Sequence, residues 1–323
     1  MRFLLVGGIG YLGGRLAKHL KQEGHYVRVT TRRPLSSVPS WLQVDDTLRA
    51  DPLNAAAWPS AFSSIDMVIH LAAPDEIISA QNPRDALQTG GEATWNILQA
   101  LAETPRPPAI IYLSTFHVYG TNARGLLEES TRPAPVHPYA LGKYVGECVM
   151  QSFRHKKRIE GVCVRLSNTF GAPAGNDVPR WSLVFNDLCR QAVLQRKLVL
   201  KSTGTQQRNF VALSDAIRAL EFLALNRSKW PEDGVIHMGS VHTWSIRQAA
   251  EMVSRLSLDV LGYEVPIIVP PDARTEEGQE FYFSVERLKN LGFTWDNQSE
   301  KEIRETLILC RDADQRLTHP LRP

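Results

Sequence analysis

The chain has 323 residues, 43% hydrophobic and 22% charged, and 37 Lys and Arg against 34 Asp and Glu give a net charge of +3. That length suits one large α/β domain, or a cofactor domain with a smaller appendage. The interspersed charges leave no basic stripe for nucleic acid, and no apolar run approaches membrane-spanning length. The four cysteines, Cys148, Cys163, Cys189 and Cys310, lack any C-x-x-C spacing. They read as small buried apolar residues in a reducing compartment, not as a disulfide framework or a zinc site, and no metal is expected.

Arg2 to Val6 (RFLLV) is an apolar run that starts with no signal peptide ahead of it, which predicts a cytoplasmic protein. It leads into GGIGYLGG at Gly7 to Gly14, and Leu12, Leu16, Ala17 and Leu20 then recur at helical spacing. Gly7, Gly10 and Gly13 therefore fall in a strand-to-helix turn. There glycine permits a tight turn, lets backbone approach a pyrophosphate, and leaves a helix N-terminus facing the anion. The spacing is G-x-x-G-x-x-G, and on this motif alone a glycine turn without a ligand remains the alternative.

Further strand-like runs follow at Tyr26 to Thr30, Met67 to Ala73, Ala109 to Ser114, Gly161 to Ser167, Phe210 to Leu213 and Val235 to Met238. Helical patterns at Tyr11 to Gln22, Ala93 to Glu103, Tyr139 to Arg154 and Ser214 to Leu225 alternate with them. This alternation predicts an α/β fold of Rossmann type, a doubly wound parallel sheet with helices on both faces. The cluster His155, Lys156, Lys157 and Arg158 fits a solvated helix C-terminus. After Gly171 the pattern loosens into a Pro/Gly loop, GAPAGNDVPRW. Helices follow near Ser182 to Gln195, Ser245 to Leu256, Ser284 to Leu291 and Glu300 to Cys310. The predicted division is a dinucleotide-binding part, 1–170 with 209–240 returning to it, and a smaller C-terminal substrate lobe, 171–208 and 241–323.

Proton chemistry is suggested by YALGK at Tyr139 to Lys143. A free tyrosine ionises near pH 10 and needs a nearby cation to act as a base at neutrality. Lys143 lies four residues beyond Tyr139, on the same helical face. At the end of the second strand VTTRRP (Val29 to Pro34) presents Arg32 and Arg33 where enzymes selecting NAD place a carboxylate; two guanidiniums favour the 2′-phosphate of NADP over NAD, with a basic surface turn as the alternative.

In order and spacing, the motifs resemble extended short-chain dehydrogenases/reductases of the NAD-dependent epimerase/dehydratase, nucleotide-sugar type. They are GGIGYLGG, VIHLAAP (Val68 to Pro74), LSTFHVYG (Leu113 to Gly120), YALGK, RLSNTFGAP (Arg165 to Pro173), RNFVALSDAIRA (Arg208 to Ala219) and VIHMGS (Val235 to Ser240). The resemblance implies that Tyr139 exchanges a proton with the substrate oxygen, that Lys143 lowers its pKa and holds the nicotinamide ribose, and that Thr115 hydrogen-bonds the same oxygen. It implies a dinucleotide site of Gly7, Gly10, Tyr11, Leu12, Gly13, Arg32, Arg33, Asp51, Leu71, Ala72, Ala73, Tyr139 and Lys143. Substrate contacts fall to Thr115, His117, Asn168, Arg208 and Arg274. The implied ligand is a nucleotide sugar and the implied assembly a homodimer.

Two departures bear on the chemistry. Where sugar dehydratases follow the catalytic threonine with an Asp-Glu pair, this chain has Phe116 and His117, which disfavours water elimination; His117 is either an added proton shuttle or a loop histidine. Gly90 stands where relatives often carry a buttressing asparagine. The expectation is an NAD(P)-dependent oxidoreductase or epimerase of a nucleotide-linked sugar. The alternatives are an NADPH-dependent reductase of another small carbonyl compound, or a dinucleotide-sensing regulator that performs no chemistry.

Overall fold

The structure, a computed structural model, describes residues 1–121, 123–178, 180–271, 273 and 281–318. A seven-stranded parallel sheet forms its centre. Its strands are β1 (Arg2–Val6), β2 (Tyr26–Thr31), β3 (Asp46–Arg49), β4 (Met67–His70), β5 (Ala109–Thr115), β6 (Gly161–Leu166) and β7 (Val235–Met238). They lie in the order β7-β6-β5-β4-β1-β2-β3, so the strand order reverses beside β1. That reversal opens a crevice at the carboxyl ends of the strands.

Side chains of a strand alternate between faces, and here both faces are apolar. Phe3, Leu5, Val27, Val29, Ile69, Ile111 and Val164 face α1 (Tyr11–Gln22) and the later helix Leu213–Leu225. Leu4, Val6, Val68, Ile110, Tyr112 and Cys163 face α2 (Thr94–Ala102) and α3 (Pro138–His155). The helices therefore cover both faces, as the alternation of elements predicts.

Several elements differ from expectation, three of them instructively. The edge strand β3 was not foreseen: its DTLR carries no apolar run, and its residues are half-buried or exposed. Of Phe210 to Leu213, the first three belong to a strand, Gln207–Ala212, and Leu213 opens the helix; the strand lies outside the central sheet and pairs in parallel with Asn168–Phe170 and antiparallel with Thr243–Ser245. The helix expected at Ser284 to Leu291 shrinks to Glu286–Asn290, since the Ser284 carbonyl is engaged by His237 Nδ1 at 2.9 Å. Of the cysteines, all free, Cys163, Cys189 and Cys310 are buried and Cys148 is exposed on α3.

Before α2 the chain makes one π-helical turn, Thr89–Ala93. Here it meets α3 backbone to backbone: a β-carbon on Gly90 would overlap the Gly142 carbonyl oxygen and lie 2.8 Å from Gly142 Cα. No asparagine fits there. Gly142 and Gly146 are equally confined, against the Ala86 carbonyl and the Tyr112 hydroxyl.

Candidate active site

At the carboxyl ends of the central strands a cleft of about 590 Å³ takes its walls from the loops after β1, β2, β4 and β5, from α3, and from residues 166–169, 178, 180 and 183. At one end, β1 runs into the glycine turn. Gly7 has φ +87°, and a β-carbon there would come within 3.0 Å of the backbone of Ala72, so only glycine lets the two segments touch. A β-carbon on Gly13 would press to 2.8 Å on Gly8. Gly10 caps α1 without a side-chain bond, leaving the first amides of the helix for an anion. These features fit a dinucleotide pyrophosphate.

Gly7, Gly10, Tyr11, Leu12, Gly13, Arg32, Arg33, Asp51, Leu71, Ala72 and Ala73 all line the cleft. Arg32 and Arg33 are exposed at the end of β2. Asp51 Oδ1 accepts from the Leu53 amide at 3.0 Å, and the Tyr11 hydroxyl donates to the Gly171 carbonyl at 2.9 Å.

At the other end Thr115 closes β5, with its Oγ1 accepting from the His117 amide at 3.3 Å. Tyr139 and Lys143 project from the start of α3, whose first turn is set by Pro138 and by His137 Nδ1, which accepts from the Tyr139 amide at 3.2 Å. Lys143 is 4% exposed; its ammonium donates to the Leu113 carbonyl at 2.7 Å. Burial pulls its pKa down to about 8, against the opposing pull of Glu76 and Glu147. Tyr139 is held protonated: desolvation and the Glu76 carboxylate push its pKa up, while Arg180 and a hydrogen bond with Thr115 act the other way. His117 stands edge-on to Tyr139, ring centroids 6.2 Å apart, and desolvation lowers its pKa to about 4, so the imidazole is neutral.

Asn168 lines the cleft and donates through Nδ2 to the Asn209 carbonyl at 2.9 Å. Arg208 is not among the lining residues. Its guanidinium donates to the Gln206 side-chain oxygen at 2.7 and 3.0 Å, and its charge is felt at His117. Arg274 lies outside the described residues.

The sequence did not single out Asp75, Glu76 or Arg180, all of which line the cleft. Arg180 pairs with Asp75 at 3.1 Å and Glu76 at 2.7 Å. The only local signs were an Asp-Glu pair directly after VIHLAAP and an arginine closing the Pro/Gly loop. Beneath the end of the cleft that holds Thr115 and Lys143 lies a buried polar network that was also missed. On α3 Glu147, one turn beyond Lys143, accepts from the Arg165 guanidinium at 2.8 to 3.2 Å and from the Ser114 hydroxyl. Arg165 also donates to the Tyr119 hydroxyl at 2.6 Å, which meets His237 Nε2 at 2.5 Å. Every member is satisfied, so the network fixes the floor on which Thr115 and Lys143 stand.

A doubly wound sheet with a glycine turn, a basic strand end and a Thr/Tyr/Lys cluster in one cleft defines a dinucleotide-dependent class. The chain belongs to the NAD dependent epimerase/dehydratase family, whose model matches residues 3–239. It is 26% identical over 309 residues, 94% of each chain, to dTDP-6-deoxy-L-talose 4-dehydrogenase (NAD(P)(+)) of Kitasatospora kifunensis. Among solved structures it resembles UDP-glucose 4-epimerase of Thermotoga maritima with UDP-glucose (TM-score 0.78, 21% identity, 97% and 99% of the two chains). It also resembles RMD of Pseudomonas aeruginosa complexed with NADPH (TM-score 0.77, 21% identity, 97% and 100%). Among the described residues no cluster could hold a metal ion, and no helix is long and apolar enough to cross a membrane.

Proposed function

We propose that this protein transfers a hydride between NADP(H) and a ring carbon of a nucleotide-linked sugar, with net reduction of a keto-sugar as the direction favoured by Arg32 and Arg33. The observation that carries the reading is the convergence of Thr115, Tyr139 and Lys143 on the cleft that begins at the Gly7–Gly13 turn. The nicotinamide supplies the hydride when bound. Tyr139 then gives its proton to the carbonyl oxygen as negative charge develops there, Thr115 donates a hydrogen bond to that oxygen, and the Lys143 cation stabilises the phenolate left behind. Arg32 and Arg33 hold the 2′-phosphate through charge-assisted bonds, with NAD as the alternative cofactor. Asn168 meets the nucleotide diphosphate from the cleft wall, and Arg208, outside that lining but with its charge felt at His117, supplies the cation for it. In this reading 171–208 and 241–323 form the lobe that receives the sugar, above a dinucleotide-binding part of 1–170 and 209–240.

The protein works in the cytoplasm as a homodimer; exposed Leu87, Trp95, Leu141 and Val145 on and around α2 and α3 support the pairing. The test adds a nucleotide-linked keto-sugar to protein and NADPH. Stoichiometric loss of the nicotinamide absorbance is expected. Repeated interconversion of sugars with no net change in cofactor would establish epimerisation instead and overturn the reductive direction.

A further inference from the structure

The segment that follows Arg32 and Arg33 leaves the cofactor end of the cleft and crosses the outside of α1. There Trp41 is wedged between two glycines. A β-carbon on Gly14 would come within 2.9 Å of the indole Cη2, and one on Gly175 within 2.6 Å of Cε2, so the ring lies directly on backbone from both sides. Its Nε1 donates to Asp177 Oδ1 at 2.6 Å. The stretch carrying Gly175 and Asp177 is also fastened where it begins. The Tyr11 hydroxyl reaches the Gly171 carbonyl at 2.9 Å, and Arg15 reaches the Ala172 carbonyl at 2.7 Å.

Just beyond this stretch Arg180 spans to the opposite wall, to Asp75 and Glu76 at the start of the short helix Glu76–Gln81. Its Nη1, 3.1 Å from Asp75, is buried without a hydrogen bond of good geometry, which leaves a donor for a ligand oxygen. Arg180, Val178, Glu76 and Tyr139 line the same cleft as Gly10. Two walls of the cleft are thus joined by ion pairs, and the wall carrying the arginine is latched from behind by Trp41.

We propose that Trp41 is a positioning residue: by pinning residues 171–178 against α1 it keeps Arg180 bridged across the cleft, and this bridge retains the bound dinucleotide. The inference rests on the cleft being a nicotinamide-dinucleotide site. A ligand beneath such a bridge leaves only while the bridge is open, so its release rate scales with the open fraction. Trp41 acts on release through the bridge and is itself assigned no part in proton or hydride transfer. It also links the strand end proposed to read the 2′-phosphate with the arginine beside Tyr139 through one side chain.

The experiment uses the full chain loaded with NADPH and mixed rapidly with excess NADP+, with nicotinamide fluorescence reporting release. Trp41→Ala is expected to release about tenfold faster, and Asp177→Ala about threefold faster, since interface changes act mainly on off-rates. Asp177→Asn keeps an acceptor oxygen for the indole N–H and is expected to stay near wild type, whereas a role for the carboxylate charge would make it release as Asp177→Ala does. Should Trp41→Ala lose its thermal transition, Asp177→Ala, altered only at an exposed side chain, decides alone. Release at or below the wild-type rate in a folded variant overturns the proposal while leaving the reading of the cleft intact. A wild type that binds neither NADPH nor NADH overturns both.

Discussion

Gly90→Ala tests whether the close approach of the π-turn to α3 holds the reacting residues in place. The added β-carbon would overlap the Gly142 carbonyl oxygen and sit 2.8 Å from its Cα, and both obstacles are backbone. Helix α3 has little room to retreat, because Gly142 already abuts the Ala86 carbonyl and Gly146 the Tyr112 hydroxyl. Overpacking a well-filled interior costs about 1–3 kcal/mol, and with no flexible side chain to move aside the expected loss is about 3 kcal/mol. The segments would have to part by about 1 Å, and a misplacement of that size can cost about 10²-fold in rate. Gly91→Ala is the matched control: its β-carbon meets only Val145 Cγ1, at 3.1 Å, a group that can rotate away. The helix gains about 0.5–1 kcal/mol from replacing glycine and the tight contact with Val145 offsets part of it, so Gly91→Ala should stay within about 0.5 kcal/mol of wild type. Urea unfolding of the three proteins reads stability, and keto-sugar reduction reads geometry. Equal unfolding midpoints for Gly90→Ala and Gly91→Ala would refute the packing argument.

Tyr139→Phe is expected to bind cofactor nearly as wild type but lose about 10² to 10⁴-fold in turnover, the usual effect of deleting a general acid; near-wild-type turnover would remove Tyr139 from the chemistry. Wild type should bind NADPH more tightly than NADH, and Arg32→Ala should erase much of the difference, because only the 2′-phosphate offers an anion to the guanidinium; titration of both cofactors into both proteins decides it. Turnover should decline as pH rises through about 8, where buried Lys143 loses its proton and with it the charge that stabilises the phenolate. A profile of kcat/KM that stays flat from pH 7 to 10 would contradict that assignment.

What could be read from the sequence was what neighbouring residues determine. The glycine turn, the end of β5 at Thr115 and the Tyr139–Lys143 spacing are local patterns, and the structure brings all of them to one cleft. Strands β1, β4, β5 and β6 announce themselves because both their faces are buried. The edge strand β3, half-exposed, offers no such signal. Gln207–Ala212 is buried like a central strand, and its sequence holds nothing that names Asn168–Phe170 as its partner. Arg180 and Trp41 escaped for the same reason. Their partners lie 104 and 136 residues away, at Glu76 and Asp177, and only the folded chain makes those pairs adjacent.

The place of β7 at the margin of the central sheet has a consequence for how this protein comes off the ribosome. Strand β6 is buried along its whole length and hydrogen-bonds β5 on one side and β7 on the other. Yet β7 is translated about 70 residues after β6 ends, which at roughly 5–20 residues per second leaves roughly 4 to 14 seconds before it can pair. Throughout that interval the nascent sheet presents a bare row of amides and carbonyls flanked by Val162, Val164 and Leu166, the kind of edge that recruits foreign strands. Folding of this sheet in the order of synthesis therefore needs that edge shielded until its last strand has been made.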